Sequence, residues 1–359
     1  MLPDFTQMLI DLGIPKMVAA VVLFVIGLLL LIKCGDWFVD GASGLAKKFH
    51  VPELLIGATV VSIGTTLPEV MVSATSAVSG HPQMAYGNAV GSIICNTALI
   101  AALTIAIKPS KVARKSFLTP VLFFFLAAGI YTFSAYFDHG FKRPVGIVLL
   151  AIFVAYMAVL VYQAVRAMRD AKEVSANAKG AAGAEAGDAS ENAKAEKELS
   201  AVLCLILLVI GAAGIAVGAD LLVNNGTIIA TGMGVPEAVV ALTFVALGTS
   251  LPELVTAITS LAKGHGALSL GNIVGANLFN LVLVSGLAIT LKPFAVPADM
   301  KIGGTISSLV VDVPVALGVM VILTVPTLLR GKLSRFQGIL LLGIYAAFCV
   351  YQFVAPMVL

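Results

Sequence analysis

The sequence is poor in charge. Only 11% of its 359 residues are Asp, Glu, Lys or Arg, and 59% are hydrophobic. Soluble globular domains are about 25% charged, so the composition excludes a soluble protein. Apolar runs of about 20 residues, the length that spans roughly 30 Å of hydrocarbon, recur along the chain. They predict ten membrane spans, at about 17–33, 52–78, 84–107, 117–136, 145–166, 200–219, 236–262, 267–291, 305–329 and 336–358.

Other features are scarce or missing as well. The four cysteines all lie in or at the ends of apolar runs, where thiols behave as small hydrophobes, so we predict neither disulfides nor a metal cluster. No HExxH or GxSxG motif occurs, which argues against an enzyme. Residues 1–16 contain Asp4 and Asp11 instead of a basic leader, so we expect no cleavable signal peptide.

One long segment of the chain occurs twice. Residues 35–109 and 219–293 align without a gap at an offset of 184 residues, and 27 of the 75 positions are identical. Each copy holds one glutamate, Glu69 or Glu253, in a hydrophobic run. Ionisable groups at membrane depth are costly and mark substrate pathways, and duplicated halves are typical of secondary transporters. The repeat therefore predicts a protein that moves a cation across a bilayer.

The placement of positive charge predicts how the chain inserts. The loops after the odd-numbered spans hold 17 of the 22 Lys and Arg residues. The positive-inside rule puts these loops in the cytoplasm and both termini outside. Each half has an odd number of spans, so the two copies must insert in opposite directions. The predicted fold is an all-α integral membrane protein with ten transmembrane helices, arranged as two inverted five-helix repeats.

A segment of different composition separates the halves. Residues 167–199 are rich in Ala, Gly, Glu, Lys and Asp and have almost no bulky apolar side chain. Such a composition cannot bury enough apolar surface to order a domain, although its alanines favour helix in parts. We predict a first repeat at 1–166, a mobile cytoplasmic linker at 167–199 and a second repeat at 200–359.

The repeated glutamates belong to polar helix faces. In the first copy the spacing i, i+3, i+4, i+7 puts four residues on one face: Ser62, Thr65, Thr66 and Glu69. Pro68 has no N–H, so in a continuous helix the Gly64 carbonyl would lose its partner. The second copy supplies the matching set of Gly248, Thr249, Ser250 and Glu253. All these groups are oxygen ligands, which Ca2+ and Na+ prefer, and two carboxylates balance one Ca2+.

A second polar stripe follows in each copy, at spacing i, i+4, i+8: Asn88, Ser92 and Asn96, matched by Asn272, Ala276 and Asn280. Amide oxygens can ligate a cation or orient a neighbouring carboxylate. The same stretches contain GxxxG, which favours close helix packing. Packing with interhelical hydrogen bonds therefore stays an open alternative for the asparagines.

The other acids have simpler interpretations. No Lys or Arg lies within 54–107 to neutralise Glu69, so a functional role is predicted for that residue. Asp36, Asp220, Glu53 and Glu237 sit at span ends, where capping and interfacial placement explain them. Asp312, near the start of the ninth span, is predicted to be a capping or interfacial residue. His265, in a short loop, is predicted to be solvated.

These motifs resemble those of the calcium/cation antiporter superfamily, in particular the prokaryotic sodium/calcium exchangers. The resemblance covers the whole ten-span plan and is strongest in four segments: GTTLPE (64–69), GTSLPE (248–253), GNAVGSIICN (87–96) and GNIVGANLFN (271–280). It implies alternating access in the cytoplasmic membrane, with Na+ entering as Ca2+ leaves. The ligands that it implies, together with the carbonyls of Gly64 and Gly248, are Glu69, Glu253, Thr65, Thr66, Thr249, Ser250, Ser92, Asn96 and Asn280.

Two positions depart from that family's pattern. Ala276 stands where sodium-coupled members have Ser, which removes a hydroxyl from one Na+ position. Asn280 stands where they commonly have Asp, which leaves two central carboxylates instead of three. Ca2+ needs only those two, so the predicted Ca2+ site is kept. The number and identity of the counter-ions stay open.

Three functions are compatible with these features. The leading prediction is a Na+/Ca2+ antiporter, and the alternative is a H+/Ca2+ antiporter of the same fold in which protonation of the glutamates releases Ca2+. A passive cation channel is the third, but channels build pores by oligomeric symmetry, whereas the repeat here lies within one chain. We expect a monomer in a lipid bilayer, with Ca2+ and Na+ (or H+) as transported ions, no cofactor and no nucleic-acid partner.

Overall fold

The chain is helical almost throughout its described length. The structure is a computed structural model and describes residues 5–80, 82–182, 199–233, 248–298 and 301–358. After a short helix at Phe5–Asp11, the first half forms α1 (Lys16–Phe49), α2 (Glu53–Val78), α3 (Pro82–Ile107), α4 (Arg114–Phe137) and α5 (Arg143–Ala182). The second half forms α6 (Ala201–Gly232), α7 (Leu251–Ala262), α8 (Gly266–Leu291), α9 (Ser308–Arg330) and α10 (Arg335–Val358).

Eight helices of the described residues are long and apolar enough to cross a membrane: α1 to α6, α8 and α9. The described part of α7 has only 12 residues. The outward faces are apolar, with Leu29 61% and Val209 68% exposed, whereas Glu69 and Glu253 are fully buried. This distribution is the reverse of that expected in water and suits a hydrocarbon surrounding. The chain is a multi-pass, all-helical membrane protein.

Several helices run further than the hydrophobic pattern predicts. Helices α1 and α6 continue beyond the predicted span ends at 33 and 219. Helix α5 continues to Ala182, well into the segment 167–199, in keeping with its many alanines. Residues 183–198 of that segment lie outside the described residues, as do 234–247, which include the predicted start of the seventh span and Glu237.

Helices α1 and α6 form the most extensive helix contact among the described residues. A Cβ on Gly27 would lie 2.9 Å from the carbonyl oxygen of Gly218, and a Cβ on Gly218 would lie 2.9 Å from that of Gly27. Only glycine permits such an approach, which is the small-residue contact typical of membrane helices. The interface also buries Phe38 and Cys204, so packing explains why both helices extend beyond their most apolar stretches.

The repeated segments form the centre of the molecule, where α2, α3, α7 and α8 pack on one another. Helix α3 contains a π-helical turn at Asn96–Ala101, and α8 contains one at the equivalent place in the repeat, Asn280–Ser285. Two further π turns lie at Gly57–Val61 in α2 and Ser308–Asp312 at the start of α9. Single π turns occur often at functional sites, and here two of them begin at the paired asparagines.

The two glutamate-bearing helices are not interrupted in the same way. In the first copy a π-helical turn, Gly57–Val61, is followed by an α-helix, Ser62–Val78, that runs through Pro68 without a break. In the second copy Thr249 and Ser250 form a turn, and α7 begins at Leu251 with Pro252 in its first turn. Proline is readily accepted in a first turn because its missing N–H has no helical partner there.

Short backbone pairings connect the loops. Strand β1 (Gly140–Phe141), after α4, pairs antiparallel with β2 (Phe294–Ala295), after α8. An isolated bridge joins Lys111, after α3, to Lys332, after α9. Because positions 111 and 295 are equivalent in the repeat, each copy of the repeated segment ends in a loop fastened to the other half. A hairpin of β3 (Lys301–Ile302) and β4 (Thr305–Ile306) precedes α9.

Candidate cation site

The polar face of α2 lies inside the molecule. Ser62, Thr65, Thr66 and Glu69 are each at most 2% exposed. Ser62 is occupied structurally, because its hydroxyl donates to the Gly57 carbonyl at 2.8 Å and to the Asn272 carbonyl at 2.9 Å. The other three side chains face the partner segment of the second half. The structure therefore brings the two predicted motifs together.

Two equivalent hydrogen bonds join the halves. Thr65 Oγ1 donates to Asn272 Oδ1 at 3.2 Å, and Thr249 Oγ1 donates to Asn88 Oδ1 at 3.1 Å. Both residues of the first bond are the repeat counterparts of those in the second. Asn88 also donates from Nδ2 to Ser73 Oγ at 2.8 Å. For Asn88 and Asn272 the structure thus bears out the alternative of interhelical hydrogen bonding.

A third contact between the halves has no equivalent at the repeat-related positions. The hydroxyl of Ser250 lies 3.5 Å from that of Ser92, and both side chains are buried. The equivalent positions are Thr66 and Ala276. Ala276 has no hydroxyl, so the equivalent hydrogen bond cannot form, and Thr66 Oγ1 is fully buried without a hydrogen-bond partner among the described residues. The alanine noticed in the sequence therefore removes one of the two equivalent hydroxyl contacts.

Both glutamates are fully buried. Glu69, in the first half, faces the second half, and Glu253, in the second half, faces the first. Among the described residues, no hydrogen-bond partner is found for either carboxylate oxygen of Glu69 or of Glu253. The Glu253 carboxylate faces the hydroxyls of Thr65 and Thr66, and the two carboxylates interact electrostatically. No ion pair found among the described residues includes either glutamate. Two acids are thus buried together in a low-dielectric interior, an arrangement that calls for a cation or protons.

Asn96 and Asn280, which are equivalent in the repeat, have the same surroundings in the two halves. Each is fully buried and begins a π turn, and within the described part of the chain neither its side-chain oxygen nor its side-chain nitrogen is hydrogen-bonded. Of the 15 buried side-chain atoms without a partner in the described residues, ten belong to Thr66, Glu69, Asn96, Glu253, Asn272 and Asn280. Buried polar groups are nearly always satisfied, so this concentration marks the region as a binding site of oxygen donors.

The two glycines whose carbonyls are predicted ligands pack against neighbouring helices. Gly64 lies within α2, where an added Cβ would come within 3.1 Å of the Phe38 ring. Gly248 precedes the turn that leads into α7, and an added Cβ would come within 2.8 Å of Val223. Both glycines are therefore packed closely against α1 or α6. Their roles as ligands remain predictions.

Comparison of the two repeats does not predict one buried polar cluster next to the site. Asn277 Nδ2 donates to Thr97 Oγ1 at 2.7 Å and lies 3.2 Å from Met320 Sδ, and Asn277 Oδ1 has no partner. The equivalents of Asn277 and Thr97 are Ile93 and Leu281, so the repeat carries no signal for the pair. An asparagine within the apolar run of α8 was the available clue.

The loop between α7 and α8 is tied down by ion pairs. Lys263 Nζ lies 2.8 Å from Asp40 Oδ1 and 3.3 Å from Asp36 Oδ1, and His265 Nδ1 lies 2.7 Å from Glu53 Oε1. The prediction of a solvated His265 is wrong, because the loop folds back against α1 and the start of α2. The equivalent His81 and Glu237 lie outside the described residues.

The protein-family model described as "Sodium/calcium exchanger protein" matches two stretches of the chain, 19–162 and 203–354. The chain belongs to the sodium/calcium exchanger family. It is 30% identical over 356 residues to the sodium/calcium exchanger MaX1 of Methanosarcina acetivorans, covering 92% of this chain and 97% of the relative. It is 34% identical over 279 residues to the inner membrane protein YrbG of Escherichia coli, covering 77% of this chain and 81% of the relative.

Solved structures of a family member agree with this assignment. The sodium-calcium exchanger NCX_Mj, soaked with 2.5 mM Na+ and 10 mM Sr2+, superposes with a TM-score of 0.73 at 30% identity, covering 92% of this chain and 98% of that one. As a member of this transporter family, the protein is a membrane antiporter for cations including Ca2+. The predictions of family and of transport class are confirmed.

Proposed function

We propose that the protein is a secondary antiporter that exchanges Ca2+ for Na+ across the cytoplasmic membrane by alternating access. The observation that carries this proposal is the pair of buried glutamates, Glu69 and Glu253, which face each other's half and have no cationic partner among the described residues. Two carboxylates supply the charge that one Ca2+ needs. The name of the relative MaX1 and the Na+ in the NCX_Mj crystals support Na+ as counter-ion.

The proposed architecture has ten transmembrane helices in two inverted repeats, at 1–166 and 200–359, joined by a cytoplasmic linker at 167–199. Both termini face outward. Support comes from the features that recur at equivalent places in the two copies: the Thr–Asn hydrogen bonds, the π turns and the fastened loops. Inverted repeats place the site at their interface, near the bilayer midplane.

The proposed ligands are the oxygen donors of both halves. Glu69 and Glu253 bind both cations in turn, and the remaining donors complete the shells: Thr65, Thr66, Thr249, Ser250, Ser92, Asn96, Asn280 and the carbonyls of Gly64 and Gly248. The lack of hydrogen-bond partners for the side chains of Thr66, Asn96 and Asn280 among the described residues supports their inclusion. Because the donors come from both halves, a relative movement of the halves changes access and ligand geometry together.

Proton coupling is the second candidate, and one observation favours it. Ala276 offers no hydroxyl where the first copy has Ser92, so the second copy supplies one oxygen donor fewer for Na+ than the first. Two carboxylates without a third can return two protons for one Ca2+. Both candidates use the same glutamates and differ only in the returning ion.

The test is 45Ca2+ movement in proteoliposomes that contain the purified protein. Under an outward Na+ gradient at equal pH, Ca2+ uptake is expected; under a pH gradient without Na+, uptake at the level of empty liposomes is expected. Uptake driven by pH and indifferent to Na+ would replace Na+ by H+ as the counter-ion. Acceleration of 45Ca2+ efflux by Ca2+ on the opposite side separates a carrier from a channel, because a channel shows no such exchange.

A further inference from the structure

We propose that Asn277 is a positioning residue of the cation site. Its hydrogen bond to Thr97 holds the α3 π turn that presents Asn96, and so sets how tightly the site binds Na+ relative to Ca2+. This role rests on the proposed exchange of Ca2+ for Na+, and it falls to a residue outside the proposed set of ligands.

Asn277, Thr97 and Met320 form one buried polar contact between α8, α3 and α9. Asn277 Nδ2 donates to Thr97 Oγ1 at 2.7 Å, and Thr97 Oγ1 donates in turn to Met320 Sδ at 3.3 Å. Asn277 Nδ2 also lies 3.2 Å from the same sulfur. All three side chains are fully buried. The Thr97 hydroxyl therefore accepts from one helix and donates to another, which fixes its side chain from two sides.

This contact lies next to two proposed ligands. Thr97 directly follows Asn96 in the π turn Asn96–Ala101, and Asn277 lies one turn before Asn280 in α8. Neither the oxygen nor the nitrogen of the Asn96 amide has a hydrogen-bond partner among the described residues, so that side chain does not fix its own position. The bond from Asn277 to the adjacent Thr97 supplies the anchor that the Asn96 side chain lacks.

The π turns of α3 and α8 are held in different ways. In α8 the hydroxyl of Ser285, the last residue of the turn, donates to the carbonyl of Asn280, the first residue, at 2.9 Å. The equivalent of Ser285 in α3 is Ala101, which has no hydroxyl. The α3 turn cannot be closed in this way, and it receives a polar anchor from Asn277 in the other half. A change at Asn277 should accordingly affect Asn96 more than Asn280.

Packing alone does not require an amide at position 277. The repeat equivalents of Asn277 and Thr97 are Ile93 and Leu281, and both of these lie in the apolar core. Asn277 Oδ1 is buried without a hydrogen-bond partner in the described part of the chain, which costs free energy that an apolar pair would avoid. A pair that costs stability beside a proposed binding site is typical of residues that serve function.

Loss of this anchor should weaken Na+ binding more than Ca2+ binding. The affinity of a Ca2+ site depends chiefly on its charged ligands, and Glu69 and Glu253 supply that charge. Na+ needs less charge, so neutral oxygens such as the Asn96 amide contribute a larger share of its binding. A misplaced amide should cost about one neutral contact, or about fivefold in Na+ affinity.

The experiment is equilibrium 45Ca2+ binding to the purified full chain in detergent, alone and in competition with Na+. Asn277→Leu removes the amide at similar size, and Thr97→Val removes the hydroxyl. Each should raise the inhibition constant of Na+ about fivefold and leave the Kd of Ca2+ within about twofold of wild type. The double variant should be no weaker than either single variant, because both changes remove the same bond. Thr97→Ser, which keeps the hydroxyl, should behave as wild type.

Gln337→Leu is the matched control for the loss of a buried amide. Gln337 Nε2 donates to the Ile322 carbonyl at 3.0 Å, so this side chain joins α10 to α9, and none of its hydrogen bonds reaches a proposed ligand. It should leave both binding constants unchanged, whatever it costs in stability. A purely structural role of Asn277 would give the same result as this control.

Four results would overturn the role of Asn277: an unchanged Na+ constant in Asn277→Leu and Thr97→Val, an equal weakening of Na+ and Ca2+, an equal rise in Gln337→Leu, or Thr97→Ser behaving like Thr97→Val. If Asn277→Leu elutes as an aggregate, Thr97→Val decides, since it exchanges a hydroxyl for a methyl group.

The wild type separates this failure from failure of the proposed function. If Na+ does not displace Ca2+ from the wild type, Na+ coupling is refuted and the role of Asn277 with it. If Na+ displaces Ca2+ equally well from the wild type and from both Asn277→Leu and Thr97→Val, only the role of Asn277 is refuted.

Discussion

The hydroxyl of Thr65 donates a hydrogen bond to the side-chain oxygen of Asn272 at 3.2 Å. The same bond recurs in the other copy of the repeat, where Thr249 donates to Asn88 at 3.1 Å. Each bond joins a helix of one half to a residue of the other. The polar centre is therefore assembled between the halves, and neither half contains it alone.

The Thr65–Asn272 bond should be measurable as a coupling energy. We expect Thr65→Val and Asn272→Ala each to lower the free energy of unfolding in detergent by roughly 0.6–1.7 kcal/mol, the range of hydrogen bonds between membrane helices. The double variant should lose less than the sum, because both changes remove one bond. Thr104→Val is the control partner, since its hydroxyl bonds the Ala101 carbonyl of its own helix. Strict additivity for Thr65 and Asn272 would contradict the contact.

Ala276→Ser should strengthen Na+ binding. The new hydroxyl would stand opposite Thr66, whose own hydroxyl has no partner, and would complete an oxygen shell around Na+. The Na+ concentration for half-maximal exchange should fall about fivefold, by analogy with the net free energy of one hydrogen bond. Ca2+, held chiefly by Glu69 and Glu253, should respond less.

The control for that substitution is Ala288→Ser, at another buried position of α8. It should leave the Na+ dependence unchanged. If protons are the returning ion, Ala276→Ser should create little response to Na+ and leave the pH dependence of exchange as it is. Measuring both dependences in each variant therefore tests the residue and the counter-ion together.

The glycine contact between α1 and α6 should tolerate no side chain. In Gly27→Ala the added Cβ would lie 2.9 Å from the Gly218 carbonyl oxygen, so the helices must move apart. We expect a loss of about 1–3 kcal/mol in the free energy of unfolding, as for other overpacked contacts. Gly129→Ala, where nothing lies within 4 Å, should be neutral or stabilising. Equal effects of the two substitutions would show that α1 and α6 are not in backbone contact.

The sequence of the linker should be dispensable. The candidate span in α5 ends at Asp170, so a Gly/Ser segment in place of 171–198 leaves it complete. Because low-complexity composition carries no core, Ca2+ exchange at matched expression should stay within about twofold of wild type. A chain with 171–198 in shuffled order is the control for length and charge. Loss of exchange in both variants would reveal a regulatory element in the linker.

Much of the site was predictable because the chain repeats itself. The repeat pairs Glu69 with Glu253 and Asn96 with Asn280, and these four residues are fully buried in the structure. A departure from the repeat was also informative, since Ala276 cannot form the hydroxyl contact that Ser92 makes with Ser250. Alignment of the two copies therefore reveals both the polar positions that they share and the positions at which one copy lacks the polar group.

The remaining features depend on contacts that no local pattern encodes. Asn277 and Thr97 are 180 positions apart and have apolar equivalents, so only the folded chain brings them together. The pair of Glu53 and His265 arises because the loop after α7 folds back onto α2. The part of α6 beyond position 219 packs against α1 through Leu221 and Leu222. Each of these features depends on tertiary contacts between residues that are far apart in the sequence.

The most direct test of the central claim is 45Ca2+ exchange by Glu69→Gln and by Glu253→Gln, compared with Glu53→Gln at matched expression and monodispersity. Glutamine keeps the size of the side chain but removes one of the two charges that a Ca2+ ion requires. Exchange should fall to the level of empty liposomes in both site variants and persist in Glu53→Gln, whose acid pairs with His265 at the start of α2. Near-normal exchange by either Glu69→Gln or Glu253→Gln would contradict the assignment of the paired glutamates as the cation site.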